Sequence, residues 1–299
     1  MVFDNKNKYV ICDGAMGTML QKRGLKIGQR SDIMNMTSPE AVEDIHRMYI
    51  EAGSEIIFTN TFGANSIALR DTGYTPEDII TSAIEIAKRA SRGEVPIALD
   101  IGPTGVLMEP IGDLGEERVY ELFREQAIIG SKAGADLVVL ETMSDINELK
   151  AAISALKAET DLPIMATMTF DKTGKTYLGC TPEEFVEVAE SLGADAVGLN
   201  CSLSPIEMTD TAVRLAKATD LPLVIKPNAG LPDSVSGQYS VLPHEFSQQM
   251  MKLTEAVNNT TNLLSGAEQN EGKTRRTMLV GGCCWTSPDY IRELRKVLV

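Results

Sequence analysis

The sequence predicts an α/β protein, a single (β/α)8 TIM barrel over residues 1–299. Three observations carry this. Eight short apolar runs rich in β-branched residues recur along the chain, each followed by a stretch with helical periodicity. The runs are continuously apolar rather than alternating, as strands buried on both faces are. A chain of 299 residues holds eight such units as one closed barrel. An open doubly wound sheet is the competing arrangement. It would carry a G-x-G-x-x-G turn after its first strand, and DGAMGT (residues 13–18) lacks that spacing.

In chain order, the first run is YVICDGA (9–15), and a helix start follows at Ser38-Pro39-Glu40. EIIFTNT (55–61) precedes Thr75-Pro76-Glu77 and the helical AIEIAKRA. PIALDIG (96–102) and ADLVVLET (135–142) follow, the latter succeeded by ELKAAISALKAE. PIMATMTF (163–170) precedes Thr181-Pro182-Glu183, and AVGLNCS (196–202) precedes Ser204-Pro205. PLVIKPNA (222–229) leads to the helix HEFSQQMMKLTEAV. A polar stretch, 258–277, reads as a surface excursion before the last run, TMLVGGCC (277–284), and Ser287-Pro288-Asp289. Each Ser/Thr-Pro step offers a hydroxyl N-cap with proline at the first helical position.

With 28 Lys and Arg against 42 Asp and Glu, the net charge is −14. That excludes broad binding to nucleic acid or anionic membrane. No apolar run reaches spanning length, and the mixed, polar N-terminus MVFDNKNKYV is not a secretory signal, so the expected compartment is the cytoplasm. The five cysteines (Cys12, Cys180, Cys201, Cys283 and Cys284) are then thiols rather than disulfides.

In a (β/α)8 barrel the chemistry sits at the C-terminal strand ends. That layer reads Asp13, Thr59 with Asn60, Asp100, Glu141, Thr169, Asn200 with Cys201, Asn228, and Cys283 with Cys284. Cys201, Cys283 and Cys284 fit a zinc site with three thiolates and an open fourth position. They equally fit three small apolar core residues. If zinc is present, three thiolates quench much of its Lewis acidity, which suits alkylation of an incoming thiol better than hydrolysis. Gly281 and Gly282 would let the strand end turn both adjacent thiols to one side. Asp13 and Glu141 suit an ammonium, and the backbone of Gly14, Ala15, Met16 and Gly17 a carboxylate; each acid equally suits capping the helix that follows. His46 and His244 read as packing or helix-start residues, and Cys12 and Cys180 as structural thiols.

DGAMGT (13–18), TNTFGAN (59–65), the ET at 141–142, GLNCS (198–202), PNAGLP (227–232) and GGCC followed by TSPDYI resemble the homocysteine S-methyltransferase family. The detail is most similar to the homocysteine-binding module of cobalamin-dependent methionine synthases. The resemblance implies a zinc-dependent methyl transfer to homocysteine, giving methionine. Cys201, Cys283 and Cys284 would be the zinc ligands, and Asp13 and Glu141 would hold the amino group. The backbone of residues 14–17 would hold the carboxylate, with Thr59, Asn60 and Asn200 as pocket positions. Trp285 departs from the family, which usually has glycine there. No corrinoid-ligating D-x-H-x-x-G occurs in the chain. A methylcobalamin donor would therefore be carried by a separate corrinoid protein. The alternatives are S-methylmethionine, S-adenosylmethionine or betaine as donor, another thiol as acceptor, or a non-catalytic zinc barrel. An aldolase-type barrel would need a Schiff-base lysine, for which Lys226 is the evident candidate.

Overall fold

The computed structural model describes residues 8–231, 239–264 and 276–299. All eight apolar runs form strands: β1 (Tyr9–Ile11), β2 (Ile57–Phe58), β3 (Ile97–Ile101), β4 (Leu137–Met143), β5 (Ile164–Met168), β6 (Ala196–Asn200), β7 (Leu223–Lys226) and β8 (Met278–Val280). They pair in parallel in the order β1-β8-β7-β6-β5-β4-β3-β2. A parallel bridge between Cys12 and Ile56 joins the two remaining edges and closes the (β/α)8 barrel. The Glu55 carboxylate reinforces that seam by accepting the Ile11 N–H at 2.9 Å.

The connection after β1 carries two short helices, α1 (Gly17–Gln21) and α2 (Met34–Thr37). The eight outer helices then alternate with the strands: α3 (Pro39–Ala52), α4 (Pro76–Ser91), α5 (Glu116–Ala133), α6 (Ile146–Glu159), α7 (Pro182–Ser191), α8 (Pro205–Ala218), α9 (Pro243–Leu264) and α10 (Pro288–Leu298). Thr75 and Thr181 close reciprocal capping boxes with Asp78 and Glu184, and Glu207 reaches back to the Ser204 N–H at 3.0 Å. The hydroxyls of Ser38 and Ser287 make no cap bond, contrary to the reading of their Ser-Pro steps. Proline at the first turn starts those helices without them.

Strand parity sorts the core. Val10, Cys12, Phe58, Ala98, Val139, Met165, Val224 and Leu279 pack on one another inside the barrel. Ile11, Leu99, Ile101, Val138 and Leu140 pack in the larger core that includes buried residues of the outer helices. Side chains alternate along a strand, so the next inward positions at the C-terminal ends are Asp100, Glu141 and Lys226. The expected excursion at 258–277 is corrected at its start: α9 continues through Leu264. On that helix the Asn258 side-chain amide donates to Thr254 O at 2.7 Å and to the Tyr9 hydroxyl at 3.2 Å, tying α9 to β1. Residues 265–275 lie outside the described residues. Among the described residues, no helix is long and apolar enough to cross a membrane.

Candidate active site

A cavity of about 300 Å³ opens at the C-terminal ends of the strands. Its walls include Asp13 to Thr18 after β1, Asp100 and Glu141 from β3 and β4, Lys226 from β7, and Cys201, Cys283 and Cys284.

The three cysteine sulfurs lie within 4.8 Å of one another, and those of Cys201 and Cys284 are 3.9 Å apart. Tetrahedral zinc with bonds near 2.3 Å places its sulfur ligands about 3.8 Å apart, so the trio has the dimensions of such a site. Cys12 and Cys180 are buried, as core thiols are, whereas these three are half-buried and face the cavity. Local backbone aims them. Cys201 has φ +62°, and its N–H donates to Lys226 O at 3.0 Å. The Cys283 N–H donates to Pro227 O at 2.8 Å, and the Cys284 N–H to Asn228 Oδ1 at 2.9 Å. Gly282 works here by close approach: a Cβ would stand 2.3 Å from Thr286 Oγ1. Hydrogen bonds from Cys283 and Cys284 pull the Cys201 thiol down to about 3, while hydrogen bonding to Cys201, with burial and the Cys201 charge adding to it, pushes Cys284 up to about 12 and raises Cys283 as well. Three thiolates this close repel one another, so a site that deprotonates all three suits a cation.

Asp13 lines the cavity, but both of its oxygens have partners. Oδ1 accepts from Lys226 Nζ at 2.8 Å, and Oδ2 from the Phe58 N–H at 2.7 Å. Lys226 also lies 3.4 Å from the Phe58 ring centroid. Burial works against its charge, but Asp13 and Glu141 raise its pKa and keep it protonated, which removes it as a Schiff-base nucleophile. Asp13 and Lys226 neutralise each other, leaving Glu141 and Asp100 as the remaining acids of the cavity. Burial pushes Glu141 up to about 7, and it raises Asp100 well above the carboxylate range. Asp100 Oδ1 has no hydrogen-bond partner among the described residues. Two under-compensated carboxyls make this wall suited to a cation.

The remaining expected positions differ in how they act. Gly14, Met16 and Gly17 line the cavity, but the Ala15 N–H already donates to Thr286 O at 3.0 Å, which narrows the expected backbone cradle. Thr59 lines the cavity while its hydroxyl accepts the Asp100 N–H at 3.0 Å. The Asn60 side-chain amide donates to Ser31 O at 2.7 Å and to Asn35 Oδ1 at 3.1 Å, so it ties the β1–α3 connection over the mouth. Asn200 is absorbed in a clamp: Oδ1 accepts from the Thr142 N–H and the Thr167 hydroxyl, each at 2.8 Å, and Nδ2 donates to Thr142 Oγ1 at 2.7 Å. That clamp holds Thr142 at φ +61°, immediately after Glu141. Thr169 braces Asn200 by donating to its carbonyl at 2.7 Å.

The sequence places Asp100 and Asn228 in the strand-end layer without a role, and offers Lys226 only as a Schiff-base candidate; Thr142 and Thr286 are not expected site residues and act through backbone bonds that no local pattern shows. Trp285 is not among the cavity walls and stacks on Tyr239 instead.

Residues 10–298 match the family described as homocysteine S-methyltransferase. The chain is 33% identical over 308 residues to the methionine synthase of Mycobacterium leprae (strain TN), covering 96% of this chain and 24% of that protein. It is 32% identical over 309 residues to the methionine synthase of Mycobacterium tuberculosis (strain ATCC 25618 / H37Rv), with the same coverage. The chain thus spans 24% of the length of these curated relatives. Among solved structures it is similar to the homocysteine methyltransferase MmuM from Escherichia coli, in its oxidized form, at 21% identity and a TM-score of 0.79, covering 98% of this chain and 96% of that one. The metallated form of the same protein matches with the same identity and TM-score over 97% of this chain and 96% of that one. At that identity the likeness speaks for the fold.

Proposed function

The chain belongs to the homocysteine S-methyltransferase family, and we propose that it transfers a methyl group to the thiol of homocysteine, giving methionine, with zinc held by Cys201, Cys283 and Cys284. The observation that carries this reading is the convergence of three thiols, two of them 3.9 Å apart, on a cavity whose other wall holds Glu141 and Asp100. When bound there, zinc would acidify an incoming thiol yet leave its sulfur nucleophilic, because three thiolates already quench the ion.

The chain's own residues supply binding and orientation. Glu141 receives the ammonium of the amino acid, with Asp100 beside it. The backbone at Gly14, Met16 and Gly17 receives the carboxylate. Asp13 contributes indirectly: it fixes Lys226, whose charge balances the cavity. Asn200 and Thr142 hold Glu141 in place, Thr59 anchors the Asp100 backbone, and Asn60 fixes the loop above. So oriented, the sulfur attacks the methyl carbon in line. The new sulfur–carbon bond forms as the donor–methyl bond breaks, and that electron pair leaves on the donor.

The donor is a methylcorrinoid on a separate protein or module. The resemblance to the homocysteine-binding module of cobalamin-dependent methionine synthases supports this, and Trp285 is not among the residues that line the cavity. The test is methionine formation by zinc-loaded protein from homocysteine and methylcobalamin, with metal content measured on wild type and on Cys201→Ala, Cys283→Ala and Cys284→Ala. Wild type binds one zinc and makes methionine; each variant loses both. Zinc retained by two of the variants overturns the ligand assignment. Methionine from S-methylmethionine or betaine, but none from methylcobalamin, reassigns the donor.

A further inference from the structure

Trp285 stands directly after the paired thiols, in a turn closed by the Thr286 N–H to Cys283 O at 3.2 Å. It is the third residue of that turn and has φ +70°. A positive φ at this position normally takes glycine, because a side chain crowds the following carbonyl. The turn that aims two of the three thiols therefore carries a bulky residue where the backbone least favours one. Strain of this kind persists where the side chain is put to use.

The indole is also fixed. It stacks on Tyr239 with centroids 5.0 Å apart and planes 14° from parallel, and Lys22 Nζ lies 5.9 Å from the ring centroid. Trp285 directly follows Cys284, and the Tyr239 hydroxyl is close enough to the trio for burial and the three cysteines to raise its pKa, yet neither ring lines the cavity. The loops after β2 and β3 carry Phe62, Val106, Leu107 and Ile111 with 39–64% of their surface exposed.

We propose that the stacked Trp285–Tyr239 pair determines donor specificity, seating the perimeter of a corrin macrocycle beside the thiol trio and giving nothing to a small sulfonium. This rests on the methyl-transfer reading with a corrinoid donor. A methyl group axial to a macrocycle reaches the sulfur in line only if the ring arrives face-on. Its perimeter then overhangs a cavity of about 300 Å³ and must rest on the lip. A flat aromatic pair supplies apolar surface there at little conformational cost. A sulfonium fits inside the cavity, away from the pair. The cation over the indole is already Lys22, which disfavours a second positive charge.

The test is steady-state kinetics of the zinc-loaded full chain with homocysteine and either methylcobalamin or S-methylmethionine, comparing wild type with Trp285→Gly and Trp285→Phe. Glycine suits the turn, so zinc content and the KM for homocysteine stay at wild-type values. The KM for methylcobalamin rises at least tenfold in Trp285→Gly and less than threefold in Trp285→Phe. Any S-methylmethionine rate is unchanged. A Trp285→Gly variant whose methylcobalamin KM stays within twofold of wild type overturns the proposal. So does loss of zinc in that variant, which would make Trp285 a structural part of the turn. If wild type itself makes no methionine from methylcobalamin, the donor reading fails first and the platform with it.

Discussion

Lys226→Met tests the charge balance of the cavity. The ammonium is 2.8 Å from Asp13 Oδ1, and both side chains are only 4% exposed. Methionine keeps an unbranched stem and removes the charge, leaving Asp13 buried with one donor, the Phe58 N–H at 2.7 Å. Breaking a buried pair in this way costs about 3–5 kcal/mol. Protonation of Asp13 sets a ceiling. An unfolded aspartate ionises near 3.9, so keeping the folded carboxyl neutral at pH 7 costs roughly 4 kcal/mol. The expected loss at pH 7 is therefore about 3–4 kcal/mol. The sign with pH follows. In the variant the folded Asp13 pKa lies above the unfolded one, so the native state binds the extra proton between them. Stability falls as pH rises through that window and returns as pH falls, by up to roughly 2.7 kcal/mol between pH 7 and pH 5. Adding Asp13→Asn removes the stranded charge and recovers more than half of the loss. Urea denaturation of the metal-free single and double variants at both pH values measures this. A Lys226→Met loss below about 1 kcal/mol at pH 7, or a double variant no more stable than Lys226→Met, would show that the pair is not the ionic unit its geometry describes.

Three further substitutions probe the same walls. Glu141 is pushed up to about 7 by burial, above the value of an unfolded glutamate, so its contribution to stability worsens as pH rises from about 4.5 to 7. Glu141→Gln should stabilise the metal-free protein at pH 8 by roughly 1–3 kcal/mol, allowing for the carboxylate's contact with cavity water, with no gain at pH 4. It should also raise the KM for homocysteine about tenfold with zinc retained; loss of zinc would make Glu141 a ligand. Asn200→Ala orphans the Thr142 N–H and leaves the Thr167 hydroxyl only Leu140 O at 3.4 Å, and should cost about 1–3 kcal/mol in thermal or urea unfolding and weaken homocysteine binding. A loss under about 1 kcal/mol would mean that water replaces the amide. Gly282→Ala drives a Cβ to 2.3 Å from Thr286 Oγ1 and should lower both zinc content and stability, the latter by about 1–3 kcal/mol. Gly17→Ala, with nothing within 4 Å, is the matched control and should change neither.

How far the sequence reveals the site depends on the range of the interaction that makes each part. The eight strands and the outer helices are local: apolar runs and Ser/Thr-Pro starts mark them, and the thiols and Glu141 follow once strand ends are recognised. Parity reaches one step further, because Val224 and Ala98 facing inward put Lys226 and Asp100 inward as well. What stays hidden is pairing. Asp13 reads as a free acceptor until Lys226, 213 residues away, is seen to hold it. Ala15 reads as part of a cradle until the turn after β8 brings Thr286 O to its N–H. The α9 boundary is hidden too: NNTTNLL lacks helical periodicity, and the contact of Asn258 with Tyr9, at the other end of the chain, is invisible to a local reading. All three contacts tie the first strand or the loop after it to the last third of the chain, across a ring in which β1 pairs with β8. There the first and last units of the barrel close on each other, so residues farthest apart in sequence are forced into contact. Closure sets Asp13 against Lys226 and Ala15 against Thr286 O at the cavity. The ion pair and the Ala15–Thr286 bond each join different βα units, which is why a unit-by-unit reading finds the atoms of the site but not the partners of Asp13 and Ala15.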